Sequence, residues 1–208
     1  MKTYEFVSPK HPDKLCDQIA DRVLDAYLAL DPFARVAVEV MGGHGRVKVT
    51  GEITSVGKVD IKKTVREFLG DGYEIEVFVS EQSAEIARGV DTGGAGDQGI
   101  MVGYATSETS TLMPLGYELA RNLCREIFKE YPYDGKVQVT IDGEKPIVVV
   151  TSFQNSKSTD LEKLVKNIIK ADEYFINPAG EWTVGGFEAD SGLSGRKIVI
   201  DNYGPTVP

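Results

Sequence analysis

The first residues that could do chemistry lie where a helix is predicted to begin. The stretch His11-Pro12-Asp13-Lys14 would stand at a helix N-terminus, which offers unpaired N–H groups and the positive end of the helix dipole. A histidine and a lysine there could hold phosphate, and the Asp13 carboxylate could bind Mg²⁺. The alternative is that Asp13 only favours the start of the helix and that His11 is solvated.

A glycine-rich stretch, residues 89–99 (GVDTGGAGDQG), is the second candidate site. Its glycines would let the backbone approach a ligand closely, and Asp91, Asp97 and Gln98 stand among them. Residues 94–99 match G-x-G-x-x-G, but a dinucleotide site needs a strand before the glycines and a helix after them. Here a strand is predicted to follow, at residues 100–105, so we reject that interpretation. A mobile surface loop remains the alternative to a binding site.

Carboxylates and cations elsewhere in the chain are further candidates. Glu39 and Glu52 lie on predicted strands among valines and glycine, where each is either functional or simply faces solvent. Asp134-Gly135-Lys136 begins a predicted hairpin and is either an ordinary turn or part of a site.

One late segment has a composition that suits an anion. Residues 190–197 (DSGLSGRK) combine Asp190 with glycines, hydroxyl groups, Arg196 and Lys197. A plain loop is the alternative. Trp182 is the only tryptophan of the chain, and it belongs either to the core or to a stacking surface.

Composition restricts the class of protein. A hydrophobic content of 41% is enough for one or two packed cores, and a net charge of −9 argues against binding to nucleic acid or to anionic membranes. Cys16 and Cys124 each sit in an apolar helical stripe, so we expect core thiols in a reducing compartment and no zinc site. No apolar segment follows the first residues, and we expect a cytoplasmic location.

The elements that must position these residues follow a repeat. Apolar spacing predicts helices at residues 13–30, 58–69, 112–130 and 160–170, with Asp160 as an N-cap. Alternation predicts strands at residues 35–40, 46–54, 74–79, 136–142 and 145–152, and less clearly at 3–7, 100–105 and 195–201. Residues 80–92 are predicted to be a loop that could act as a lid.

The first helix, the hairpin and the second helix recur with an offset of about 100 residues, which indicates duplication. The chain is therefore predicted to be an α+β protein of repeated α-β-β-α-β units, with helices on one face of each sheet. The predicted units are residues 1–90 and 91–187, followed by residues 188–208 as the start of an incomplete third unit.

Taken together, the motifs resemble the S-adenosylmethionine synthetase (methionine adenosyltransferase) family. The resemblance rests on five ordered stretches across the chain: residues 11–21 (HPDKLCDQIAD), 51–54 (GEIT), 94–106 (GAGDQGIMVGYAT), 175–178 (FINP) and 192–197 (GLSGRK). It implies pseudo-threefold α+β domains and a homodimer with shared active sites, possibly paired into a tetramer.

The resemblance also implies roles for individual residues. Catalysis would involve His11, Lys136 and Arg196. ATP would be bound by His11, Asp134, Lys136, Trp182, Asp190, Arg196 and Lys197. Methionine would be bound by Glu52, Gln82, Asp97 and Asp190. Asp13 would bind Mg²⁺, and Glu39 would bind K⁺.

The implied reaction is attack of the methionine sulfur on C5′ of ATP, followed by hydrolysis of tripolyphosphate to phosphate and pyrophosphate. A sulfonium forms while a polyanion departs, so carboxylates near sulfur and cations near phosphate both favour the transition state. The alternative function is that of a truncated, non-catalytic homologue that binds ATP or methionine, or that pairs with a complete subunit.

Overall fold

A computed structural model describes residues 1–207 and contains two mixed units of the same design. The helices are α1 (Pro12–Leu28), α2 (Ile61–Leu69), α3 (Ala84–Asp91), α4 (Leu115–Glu130), α5 (Ser158–Ile168) and α6 (Ile198–Asp201). The strands are β1 (Lys2–Val7), β2 (Arg35–Gly43), β3 (Arg46–Thr54), β4 (Glu74–Ser80), β5 (Gly135–Asp142), β6 (Lys145–Phe153), β7 (Glu173–Ile176) and β8 (Gly192–Leu193). The series α1-β2-β3-α2-β4 recurs as α4-β5-β6-α5-β7, so the predicted repeat and α+β class are confirmed.

The two four-stranded sheets have equivalent strand orders, β4-β3-β2-β8 and β7-β6-β5-β1. In both sheets the hairpin is antiparallel and the strand after the second helix is parallel to its neighbour. The fourth strand is antiparallel in each case and comes from outside the repeat.

These fourth strands are exchanged between the units. Strand β1 precedes the first unit in sequence but pairs with β5 in the second sheet, where Tyr4 lies opposite Val139. Strand β8 follows the second unit but pairs with β2 in the first sheet, where Gly192 lies opposite Gly42. The prediction that residues 3–7 form the first strand of the first unit is therefore wrong in its pairing, although the strand exists.

The predicted strand at residues 100–105 does not form. Ile100 is 94% exposed and Met101 is 90% exposed. The position beside β5 that such a strand would need is already filled by β1. An apolar segment without a free sheet edge has no partner for its backbone groups, so its hydrophobicity alone does not make it a strand.

The predicted loop at residues 80–92 contains helix α3. The Ser83 side chain caps this helix by accepting a hydrogen bond from the Ile86 N–H, at 3.3 Å. None of its residues is buried, so α3 lies on the surface between β4 and the glycine-rich stretch. A capped run of alanine, glutamate and isoleucine supplies enough local preference for two helical turns.

Two further predictions near element ends are wrong. Helix α5 begins with Lys157 at its N-cap, and Asp160 lies inside the first turn. Residues 195–201 do not form a strand: residues 198–201 form helix α6, and the Gly195 N–H is held by the Asp17 side chain of α1 instead of a sheet neighbour.

Each sheet buries one face under its helices and leaves the other open. The first core packs α1 and α2 on β2, β3 and β4, and the second packs α4 and α5 on β5 and β6. Cys16 and Cys124 are free and buried in these two cores, as expected. Within residues 1–207, no helix is long and apolar enough to cross a membrane.

Candidate functional site

His11 is fixed in place by its position at the N-cap of α1. Its backbone is extended, Pro12 takes the first helical position, and the Nδ1 atom accepts a hydrogen bond from the Asp13 N–H at 3.2 Å. Burial lowers the pKa of His11 to about 4, with the charges of Lys197 and Lys136 acting in the same direction. His11 is therefore neutral at pH 7 and carries its proton on Nε2.

The carboxylate of Asp13 is the centre of an ionic cluster. Its side chain is fully buried, and Oδ1 accepts hydrogen bonds from the Leu193 N–H at 3.0 Å and from Arg196 Nη2 at 2.9 Å. Oδ2 contacts the Lys197 ammonium. Burial acts to raise the pKa of Asp13, but these hydrogen bonds outweigh it and hold the pKa at about 2.

The segment around β8 can lie on the start of α1 because it contains glycine there. A Cβ atom on Gly192 would lie 2.2 Å from the Pro12 carbonyl carbon, so no side chain fits at this position. Three residues further on, Gly195 adopts a φ of +70° and donates its N–H to Asp17 Oδ1 at 2.8 Å. These contacts bring the two cations of the segment to Asp13.

Asp134 and Lys136 approach the same region from the beginning of β5. Asp134 is buried, its Oδ2 accepts the Gly186 N–H at 3.0 Å, and its Oδ1 has no hydrogen-bond partner among residues 1–207. Burial is the main cause that raises the pKa of Asp134. The charges of Asp190 and Lys136 act on both His11 and Asp134, which places the four residues in the same region.

A cavity of about 340 Å³ opens beside Asp134. Its walls combine aromatic rings with a few polar groups and include Lys10, Phe68, Tyr73, Tyr133, Asp134 and Gln154. A buried carboxylate oxygen without a partner at the wall of such a cavity is suited to accept hydrogen bonds from a ligand's hydroxyl groups.

Trp182 lies near the cavity and is half-buried. Its Nε1–H donates to Ser152 Oγ at 2.9 Å, and a Cβ atom on Gly185 would lie 2.7 Å from the indole ring. The ring is therefore held in one orientation while part of its surface stays open. This arrangement is compatible with stacking and does not make Trp182 a core residue.

Glu39 lies on β2 beside the β8 segment. Its Oε2 accepts a hydrogen bond from Ser194 Oγ, and the Val40 N–H donates to the same hydroxyl at 2.8 Å. The side chain of Glu39 is exposed. Glu39 thus supplies one carboxylate near β8, with no second acidic ligand in contact with it in the described part of the chain.

The three predicted methionine ligands outside this cluster are not assembled. Glu52 is exposed on β3, and Asp97 is exposed and accepts the Gln98 N–H at 2.7 Å. The Gln82 N–H donates to Thr54 Oγ1 at 3.3 Å, and Gln82 Oε1 is buried without a partner. Within residues 1–207, no hydrogen bond joins these side chains to one another or to His11.

Sequence reasoning missed two residues that shape the site. Asp17 lies one helical turn after Asp13 and holds Gly195, and Ser194 links the β8 segment to β2 through Glu39. The spacing of Asp13 and Asp17 on one face of α1 was a signal for a shared partner, but it does not say which segment supplies that partner.

The residues do not fit a divalent cation in this arrangement. Among residues 1–207 there is no group of three histidine, cysteine or acidic side chains that could hold a metal ion. Both oxygens of Asp13 already face donors, two of which are cations. A metal ion at Asp13 would require Arg196 and Lys197 to move.

The fold and the site together define a class of protein, a duplicated α+β chain that gathers basic side chains at a helix N-terminus. The protein-family model for the N-terminal domain of S-adenosylmethionine synthetase matches residues 1–92, and the family model for its central domain matches residues 92–182. The chain therefore belongs to the S-adenosylmethionine synthetase family.

Individual relatives agree with this assignment. An S-adenosylmethionine synthase of Desulforudis audaxviator is 41% identical over 256 positions, which cover 97% of this chain and 65% of the relative. One from Thermus thermophilus is 41% identical and covers 99% of this chain and 66% of the relative. One from Parvibaculum lavamentivorans is 39% identical, over 99% of this chain and 64% of the relative. The chain thus spans about two thirds or slightly less of the length of these relatives.

Proposed function

We propose that the chain contributes to the synthesis of S-adenosylmethionine from ATP and L-methionine. The sulfur lone pair would attack C5′ of ATP, the C5′–O bond would break, and tripolyphosphate would leave and then be hydrolysed to phosphate and pyrophosphate. The observation that carries this proposal is the cluster at the start of α1, where Arg196 and Lys197 contact Asp13 and the charges of Lys197 and Lys136 act on neutral His11.

The proposed triphosphate site combines three cations with one neutral donor. Because His11 Nδ1 accepts the Asp13 N–H, its Nε2–H is free to donate to a phosphate oxygen. The cations Lys136, Arg196 and Lys197 would stabilise the negative charge that grows on the leaving group. His11 and these cations would be catalytic because the charge they face is larger in the transition state than in the substrate.

The nucleoside would lie toward the cavity beside Asp134. The unpartnered Oδ1 of Asp134 would accept a hydrogen bond from the ribose, and Trp182 would stack on adenine. The charge of Asp190 acts on both His11 and Asp134, and Asp190 would serve both substrates. Glu52, Gln82 and Asp97 would close around methionine only after the glycine-rich stretch changes position.

We also propose Mg²⁺ and K⁺ as cofactors, which the resemblance assigns to Asp13 and Glu39, although Asp13 could hold Mg²⁺ only after Arg196 and Lys197 move away from it. Bound metal ions would supply charge neutralisation for the polyphosphate. Self-association into a homodimer or tetramer is proposed from the open sheet faces, where Met41 is 54% exposed and Phe78 is 57% exposed. A cytoplasmic location and the division into residues 1–90, 91–187 and 188–208 remain predictions.

The test is the formation of S-adenosylmethionine by the purified chain with ATP, methionine, Mg²⁺ and K⁺, measured by mass spectrometry. We expect product, and we expect His11→Asn to lower its rate by about a hundredfold, because Asn keeps the helix cap but its shorter side chain does not replace the Nε2–H donor of imidazole.

The control is Asp25→Asn, which changes an exposed residue of α1 away from the cluster. Binding of both substrates without any product would favour the non-catalytic homologue. Full activity of the His11→Asn variant would contradict the role given to His11.

A further inference from the structure

The end of strand β6 carries a polar side chain that has no role in the function proposed above. Gln154 follows β6 directly and lines the cavity beside Asp134. The backbone N–H of Gln154 donates to the Asp134 carbonyl at 2.9 Å, and its side-chain Oε1 accepts the Asp134 N–H at 3.3 Å. Gln154 therefore holds the backbone of Asp134 with its main chain and with its side chain.

The same side-chain amide also holds the segment that carries Trp182. Gln154 Nε2 donates to the backbone carbonyl of Thr183 at 2.9 Å. The neighbouring Asn155 N–H donates to the backbone carbonyl of Trp182 at 2.9 Å, so two successive residues of this segment are tied to the end of β6. One side chain thus connects the residue proposed to bind ribose with the segment that carries the ring proposed to stack on adenine.

Gly185 makes room for these contacts. A Cβ atom at this position would lie 2.5 Å from Gln154 Oε1 and 2.7 Å from the Trp182 ring, so a side chain would push the two groups aside. The backbone of Gly185 is extended, with a φ of −147°, so glycine is needed for the space and not for the conformation. The next residue, Gly186, donates its N–H to Asp134 Oδ2 at 3.0 Å. Both walls of the proposed nucleoside site therefore meet at Gln154.

These side chains lie along one face of the second sheet. Lys136 lies opposite Ser152 in the β5–β6 pair, and Ser152 Oγ accepts the Trp182 Nε1–H. Asp134 and Gln154 form the pair two residues further along, and side chains two residues apart share a face of a strand pair. The contacts proposed for triphosphate, adenine and ribose thus follow one another along this face.

We propose that Gln154 is a positioning residue for the nucleoside part of ATP. It fixes the separation of Asp134 and Trp182 before the ligand arrives, so that binding does not bear the cost of ordering these two walls. The inference rests on the proposed function, which places the nucleoside at these residues. Gln154 acts through Asp134 and Trp182 and has no assigned contact with the reacting atoms.

The first experiment measures adenosine binding to the whole chain by equilibrium dialysis. Gln154→Met keeps the length of the side chain but removes both of its hydrogen bonds, so it should weaken adenosine binding about tenfold. Gln138→Met makes the same change at an exposed position of β5 and should leave the affinity unchanged. Gly185→Ala should weaken binding by a similar factor, because its methyl group displaces the amide, and it replaces Gln154→Met if that variant does not fold.

The second experiment tests whether the effect passes through Trp182, which is the only tryptophan of the chain. Without ligand, quenching of its fluorescence by acrylamide should increase in Gln154→Met and stay at the wild-type level in Gln138→Met. Tripolyphosphate binding, measured by calorimetry, should be equal in the wild type and Gln154→Met, because Arg196 and Lys197 are held by Asp13 at the start of α1.

The outcomes separate this inference from the proposed function. Equal adenosine affinity in the wild type and in the folded variants would overturn the positioning role alone. Weaker binding with unchanged quenching would also overturn it, because Gln154 would then act on the nucleoside directly. An equal loss of adenosine and tripolyphosphate binding would mean a general loss of structure and would overturn it as well. A wild type that binds tripolyphosphate but no adenosine would contradict the proposed nucleoside site and the inference together.

Discussion

Replacing Asp13 by Asn is expected to lower the free energy of unfolding by about 2–3 kcal/mol. Asn would turn an amide NH₂ toward the Lys197 ammonium, so one contact of the cluster becomes a pair of donors. The loss is smaller than for a fully buried ion pair, because Arg196 and Lys197 can turn partly into solvent. Urea denaturation at pH 7.5 measures the change.

The controls separate the cluster from the general effect of losing a negative charge on α1. Asp25→Asn removes an exposed carboxylate from the same helix and should change stability by less than about 0.5 kcal/mol. In the double variant Asp13→Asn/Lys197→Met, the second change should cost almost nothing if the two residues act as a pair. An Asp13→Asn variant as stable as the wild type would show that the cluster does not hold β8 to the helix.

The second large effect concerns pH and His11. The pKa of His11 is lowered from its usual 6.5 to about 4 by burial and by the nearby lysines. Between these two values the unfolded chain binds a proton that the folded chain does not, so stability falls as the pH is lowered. Above pH 6.5 neither state binds this proton and His11 does not lower the free energy of unfolding. By pH 4 its resistance to protonation should have lowered the free energy of unfolding by about 3 kcal/mol.

The variant His11→Asn isolates this contribution. Asn can still accept the Asp13 N–H and cap α1, but it does not titrate. Denaturation midpoints of the two proteins, measured in urea between pH 4.5 and pH 7.5, should therefore diverge, with the wild type losing stability more steeply toward acid. Parallel curves for the two proteins would mean that His11 titrates normally and is not held neutral by its surroundings.

Local patterns were sufficient to predict the repeat. The alternation in β2 and β3 and the spacing of apolar residues in α1 depend only on neighbours in sequence, and the structure confirms them. The exchange of β1 and β8 could not be predicted in this way. Which strand lies beside β5 or β2 depends on the competition of distant segments for one sheet edge, and the hydrophobic pattern of a strand carries no information about its partner.

The sequence motifs identified the residues of the candidate site but not which of them contact one another. The motifs identified His11, Asp13, Arg196 and Lys197, and the structure brings these four together. The ion pair between Asp13 and Lys197, however, joins residues 184 positions apart. The sequence suggested Asp13 as a metal ligand because carboxylate oxygens bind Mg²⁺, whereas in the structure the glycine at position 192 lets β8 cover this carboxylate.

The glycine-rich stretch, residues 89–99, is a predicted site whose residues the structure does not bring to the cluster at His11. Its motif was recognised, yet Asp97 lies exposed and apart from the cluster at His11. Residues 91–100 are exposed throughout, so packing does not fix their position. Side chains that bind a ligand do not need contacts with the rest of the chain to hold them together before the ligand is bound.

The binding of a non-hydrolysable ATP analogue, β,γ-imido-ATP, tests most directly whether the cations beside His11 form a triphosphate site. Equilibrium dialysis with the 208-residue chain should give saturable binding at one site. Lys136→Met should weaken it about tenfold or more, whereas Lys170→Met, which removes an exposed lysine of the second unit, should leave it unchanged. Failure of the wild type to bind the analogue at millimolar concentration, or equal binding by both variants, would contradict the assignment of this site.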